Sequence, residues 1–127
     1  MNRLHYDVRL SQDRSYIIVQ LEGHVDHENA KRFLRDAFEM VAETGIDRVL
    51  LDSRKARNAD SVQDTIRFVR PSRELENPDL KRVVRVLLVD EHDRSHDFVT
   101  RALRLKGHNI VVSRDEAHAI EMLHNAP

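Results

Sequence analysis

Apolar and polar positions along the chain switch between a period of two and a period near 3.6. Residues 6–10 alternate in character, and residues 16–23 are β-branched and mostly apolar. The polar stretch 11–14 between them predicts a turn, so the two segments read as a hairpin. Ala30, Phe33, Leu34, Ala37, Phe38 and Val41 then recur at the spacing of one helix face, with Lys31, Arg32, Arg35, Asp36 and Glu39 between them. Asp26 suits the N-cap of that helix, and Gly45 suits a left-handed stop. Residues 46–51 read as the next strand. Its unbroken run Val49, Leu50, Leu51 is of the kind found in strands covered on both faces.

Residues 52–59 read as a loop into a short helix that starts at Asp60 or Ser61. Val62, Ile66 and Val69 form its expected core side, and Pro71 its stop. Residues 72–81 read as a polar loop and residues 83–89 as the most apolar strand. A helix is predicted from Asp93 or Ser95 to Lys106, with Phe98, Val99, Ala102, Leu103 and Leu105 on its apolar side and Gly107 as its cap. Residues 109–112 make a last strand. Ser113 and Glu116 stand at capping-box spacing before a final helix carrying Ala117, Ile120 and Leu123. The order β-β-α-β-α-β-α-β-α predicts an α/β fold: a five-stranded mixed, mostly parallel sheet with four helices and right-handed crossovers. The first strand, joined by a tight turn, must run antiparallel to the second. No repeat or low-complexity segment divides the chain, so residues 1–127 are expected to form a single domain.

Composition narrows the function classes. A chain of 127 residues buries about two-thirds of its unfolded surface and needs no covalent staple. It has no cysteine, which removes disulfides and thiolate metal sites. The formal charge of −1 offers no electrostatic footprint for nucleic acid. Arg67, Arg70, Arg73, Lys81, Arg82 and Arg85 give one local basic bias, interrupted by Glu74, Glu76 and Asp79, and read as a solvated surface. The longest apolar runs, such as Val86 to Val89, are far too short to span a bilayer. The first five residues hold no apolar signal region. A cytoplasmic location is expected, with no cofactor.

The pattern resembles the STAS superfamily and, within it, the SpoIIAA-like proteins related to bacterial anti-sigma-factor antagonists. The likeness runs from the hairpin through the amphipathic helix 29–44 and the strand, loop and short helix of 48–69. It is sharpest at Phe98, Ala102, Gly107, residues 109–112, Arg114, Asp115, Glu116, Ala117, Met122 and Leu123. The resemblance implies a non-catalytic regulatory domain that binds another protein, such as an anti-sigma factor or similar regulator, or pairs with itself as a homodimer. Phosphoswitch members carry D-S-[ST]-G at the start of the short helix. Here Asp60 and Ser61 match, Val62 stands where the phosphorylated hydroxyl is expected, and Gln63 replaces the glycine.

Three groups of residues are candidates for chemistry. Ser61 at a helix start could accept phosphate, since the helix dipole favours negative charge there; equally, Ser61 and Asp64 stand at capping-box spacing. Asp52 after the third strand, with Asp90, Glu91 and Asp93 after the fourth, would lie at the carboxyl edge of a parallel sheet, where α/β folds place ligands. Such oxygens could hold Mg²⁺; capping by Asp93 and pairing of Asp52 with Arg54 would also account for them. His92 with His96, and His24 with His27, have the spacing of helical metal pairs but no third ligand in register, and read as surface histidines. No nucleophile–base–acid set, nucleophile elbow or phosphate-cradling glycine loop is present.

The expected mode of action is therefore binding, through the surface from Arg57 to Arg70, with Arg57, Asn58, Asp60, Ser61, Asp64 and Arg67 exposed. Two alternatives come from other classes. Residues 85–91 and the acidic edge at Asp52 also resemble a response-regulator receiver in the wrong order, implying a phosphoacceptor domain. An apolar cleft could instead serve a small molecule or lipid.

Overall fold

The computed structural model describes residues 4–69 and 81–126. Its elements follow the predicted order: β1 (Leu4–Leu10), β2 (Ile17–Val25), α1 (His27–Thr44), β3 (Arg48–Asn58), α2 (Val62–Val69), β4 (Val84–Leu88), α3 (Asp97–Leu105), β5 (Ile110–Ser113) and α4 (Glu116–Asn125). The five strands lie in consecutive order in one sheet. β1 runs antiparallel to β2, with Tyr6 opposite Leu21 and Leu10 opposite Ile17, and the remaining pairs are parallel. This is not the 2-1-3-4-5 order of a doubly wound receiver.

Consecutive order decides where the helices go. Right-handed crossovers that all advance in one direction put their helices on one face of the sheet. Among the described elements α4, after the last strand, covers the other. Two cores result. Ile17, Val19, Leu21, Val49, Leu51 and Leu87 pack with Phe33 and Ala37 of α1. Leu50, Val84, Val86 and Leu88 pack with Ala119 and Leu123 of α4. The Arg48 guanidinium donates to the Leu123 carbonyl and, at 2.6 Å, to the Ala126 carbonyl, satisfying the last turn of α4.

Local signals placed α1 well. The Asp26 side chain accepts from Asn29 N–H at 2.8 Å, and the Asn29 side chain accepts from Asp26 N–H at 2.9 Å. Gly45 has φ 75°, and its N–H donates to the Val41 carbonyl. The hairpin turn is held by Ser11, whose Oγ accepts from the N–H groups of Ser15 and Tyr16.

Four local expectations are corrected. Residues 52–58 are not a loop: β3 continues to Asn58 because β2 supplies a partner there, with Lys55 opposite Glu22 and Asn58 opposite Val25. β4 stops at Leu88 opposite Asp52, so the extension is half-solvated, which explains its Arg and Lys content. α3 begins at Asp97 with His96 as its N-cap, two residues beyond Ser95. The N-cap of α4 is Asp115, whose carboxylate accepts from His118 N–H, while Ser113 Oγ donates to the Asp115 carbonyl. Arg85 is not on a solvated surface. It is 3% exposed, its guanidinium sits 5.9 Å from the Phe38 ring centroid, and Nη2 lies 2.8 Å from His108 Nδ1. Burial pushes its pKa down to about 10, so it stays charged at neutral pH. The expectations on Arg70, Pro71, Arg73 and the loop up to residue 80 lie outside the described residues, as does the Val69 side chain.

Candidate functional site

The long β3 carries its C-terminal end past β4 and delivers the chain to α2. That helix packs against α3 and, to a smaller extent, α1. The residues between β3 and α2 are tied down on every side. Asn58 N–H donates to Ser95 Oγ at 3.0 Å, and its side-chain amide donates to the Ser95 carbonyl at 3.1 Å. Ala59 N–H donates to the Val25 carbonyl at 2.7 Å. Asp60 Oδ1 lies 3.2 Å from His27 Nδ1, at the first residue of α1. The hydrogen bond to Asp60 holds the His27 imidazole above its ordinary pKa, against a smaller opposing effect of burial.

Ser61 and Asp64 form the capping box that their spacing allowed. Asp64 N–H donates to Ser61 Oγ at 3.1 Å, and Ser61 N–H donates to Asp64 Oδ2 at 3.4 Å. Bonds from Ser61 hold the Asp64 carboxyl below its usual range. Arg57 projects into solvent, with one nitrogen 3.8 Å from buried Asp93. Asp93 Oδ1 accepts from Ser95 N–H at 2.8 Å, and Oδ2 lies 3.5 Å from His96 Nε2. Burial raises the Asp93 pKa, but the Ser95 bonds and the charges of His96 and Arg57 together bring it below the ordinary value.

The main surprise is apolar. Val62 and Ile66, expected as the core side of α2, are 57% and 42% exposed, and among the described side chains of the helix the buried one is Thr65. On the neighbouring helix Phe98, also expected inside, is 44% exposed. The periodicity showed that α2 has an apolar side. It could not show that this side faces water.

The carboxylates of the acidic edge do not converge. Asp52 lies within β3, held by Arg54 through Nη2 at 2.8 Å and Nε at 3.0 Å, and Arg54 Nη1 reaches Glu116 at 2.9 Å. Asp90 and Glu91 are exposed on the loop after β4. Among the described residues, no group of three or more histidine or carboxylate side chains could hold a metal ion. His96, expected on the surface, is buried. His96 Nε2 lies 3.1 Å from the Ala56 carbonyl, which fixes the ring without a metal.

A cavity of about 80 Å³ lies between the sheet, α1 and α3, lined mostly by apolar side chains with Ser53, His96 and Thr100. Ligand pockets usually measure roughly 300–1,000 Å³, so this cavity is too small for a lipid or metabolite. Ser53 Oγ is fully buried there with no hydrogen-bond partner among the described residues. Among those residues no helix is long and apolar enough to cross a membrane.

The backbone has the SpoIIAA-like α/β fold. Over 97% of this chain and 96% of theirs, the backbone matches an anti-sigma factor antagonist from Mycobacterium paratuberculosis with a TM-score of 0.57 at 10% identity. An uncharacterised protein with a SpoIIAA-like fold from Shewanella loihica matches over 97% and 95% of the chains with a TM-score of 0.56 at 15% identity. The anti-sigma factor antagonist SpoIIAA in its unphosphorylated form matches over 97% and 99% with a TM-score of 0.56 at 13% identity. Identities this low show a shared fold. No protein-family model matches the chain, and no curated protein matches it in sequence.

Proposed function

We propose that this chain is a non-catalytic regulatory domain that docks a protein partner on the surface around α2. The observation that carries this reading is the outward turn of Val62 and Ile66 on a helix whose N-terminal approach is held by side-chain and backbone bonds. Exposed apolar side chains beside charged ones are what a partner interface needs: an apolar centre to exclude water and a polar rim to set register. Arg57 and Arg67 supply the rim, with Asp64 between them. Because Asn58, Asp60 and Ser61 are already bonded within the fold, they pre-organise the surface and reduce the ordering cost of binding. The fold shared with anti-sigma factor antagonists supports a regulator of that kind as the partner, by analogy. The reading places the protein in the cytoplasm and invokes no cofactor or nucleic acid.

The test is affinity capture from the native cell with the wild-type chain and two variants, Ile66→Asp and Arg57→Glu. Both sites are exposed, so melting temperatures should stay within a few degrees of the parent. A protein retained by the wild type and lost from both variants would support the reading. A set of captured proteins that both variants retain unchanged would overturn it.

A further inference from the structure

Among the described residues β5 is the last strand of the sheet and pairs only with β4. In a parallel ladder, alternate residues turn both backbone polar groups toward the partner strand. Arg85 N–H donates to the Asn109 carbonyl at 2.9 Å, and Val89 N–H donates to the Ser113 carbonyl at 3.0 Å. Residues 109, 111 and 113 therefore face β4, and Ile110 and Val112 face the open side. Ile110 N–H is turned back to the His108 carbonyl at 3.2 Å. The edge thus offers the Ile110 carbonyl and both backbone groups of Val112.

Alongside this edge runs a groove of about 610 Å³, lined by Asp97, Thr100, Arg101, Arg104 and Leu105 of α3 and by Val112 of β5. Its charge is one-sided. Asp97 is already shared between Arg94, at 3.9 Å, and Arg114, at 3.3 Å. Arg101 and Arg104 are exposed, and neither forms an ion pair among the described residues. Leu105, on the same side of α3, is 83% exposed.

We propose that the β5 edge and this groove take an extended acidic segment of a partner protein as a sixth strand. Main-chain bonds to Ile110 and Val112 would supply sequence-independent affinity, and the alternating side chains would supply the choice of partner. On one side of the added strand, acidic residues meet Arg101 and Arg104, whose guanidiniums suit carboxylates. The methylene groups of those acidic side chains lie along Leu105 and Val112, which line the same groove. A second copy of this chain is a poorer occupant. A two-fold pairing of β5 edges sets the same patch against itself, bringing the two arginine pairs together. The surface shares no residue with the one around α2, so the two readings stand independently.

The experiment uses the full chain and a fluorescent peptide of alternating valine and glutamate, about eight residues long to match a typical strand, with an alternating valine–lysine peptide as control. Anisotropy reports binding, and amide hydrogen exchange reports the edge. The acidic peptide should bind where the basic one does not, and should slow exchange at Val112. The double variant Arg101→Glu, Arg104→Glu should weaken binding by at least about tenfold, as expected when charge-assisted pairs are lost. Four outcomes would overturn the proposal: no binding up to about 1 mM peptide, binding with the Val112 amide unprotected, binding indifferent to the double reversal, or an edge already occupied by a second copy in sedimentation.

Discussion

His27 Nδ1 lies 3.2 Å from Asp60 Oδ1, which joins the first residue of α1 to the approach of α2. The two residues are 33 positions apart in sequence, and the contact sits beside the surface proposed for docking. It also makes that surface sensitive to pH. Glu28 lies 3.3 Å from the other ring nitrogen, and Asp64 adds a weaker favourable field. The imidazolium is favoured in the folded state despite its place at a helix N-terminus.

The first prediction follows from the sign of that shift. The folded pKa of His27 lies above the ordinary 6.5. The stabilisation it contributes is therefore fully present below that ordinary value and is lost as pH rises through the folded pKa. The ring is about one-third exposed, so the effect is screened and small. Melting temperatures of the wild type and His27→Gln should differ most at acidic pH and converge above neutrality. An NMR titration should place the His27 midpoint above that of a free histidine. A gap that widens with rising pH would refute the linkage.

Ser53 and Leu88 make opposite predictions from similar burial. Both side chains are wholly inaccessible. Leu88→Ala removes packed methyl groups from the α4 core and should cost about 2–5 kcal/mol in denaturant unfolding. Ser53→Ala removes a hydroxyl that has no partner among the described residues. An unsatisfied buried polar group costs on the order of 1–3 kcal/mol, so this variant should be at least as stable as the parent. A clear loss of stability would show that the hydroxyl is satisfied.

Ser61 is expected to act as a cap and not as a regulatory phosphosite. Its Oγ already accepts from Asp64 N–H, and a phosphate there would lie beside the carboxylates of Asp60 and Asp64. Val62 and Gln63 also depart from the sequence of phosphoswitch proteins. Ser61→Ala should cost about 1 kcal/mol, the usual value of an N-cap. Mass spectrometry of the protein from its own host should find Ser61 unmodified, and phosphate on it would sink this prediction.

Millimolar Mg²⁺ should leave the melting temperature unchanged. A cation bound by the native state would raise it, but Asp52 is engaged by Arg54 and does not join Asp90 and Glu91 in a metal-holding group. A rise abolished by Asp90→Asn would restore the acidic edge as a site.

What the sequence determined by itself is whatever depends on neighbours along the chain. Asp26 and Gly45 mark the ends of α1 because capping is settled within a few residues. The apolar run from Val83 to Val89 marks a central strand because a strand covered on both faces leaves almost no polar positions. The exception, Arg85, was illegible: its burial depends on Phe38 and His108, brought from other elements. The same limit applies to β3 beyond Asp52. Its residues are poor strand formers, and only the continued presence of β2 alongside makes them one. Around α2 the periodicity located an apolar side, and Ser61 with Asp64 located the start. Which way Val62 and Ile66 point was decided by the packing of α2 against α3 and α1, because a hydrophobic pattern records which residues share a face and not what that face meets.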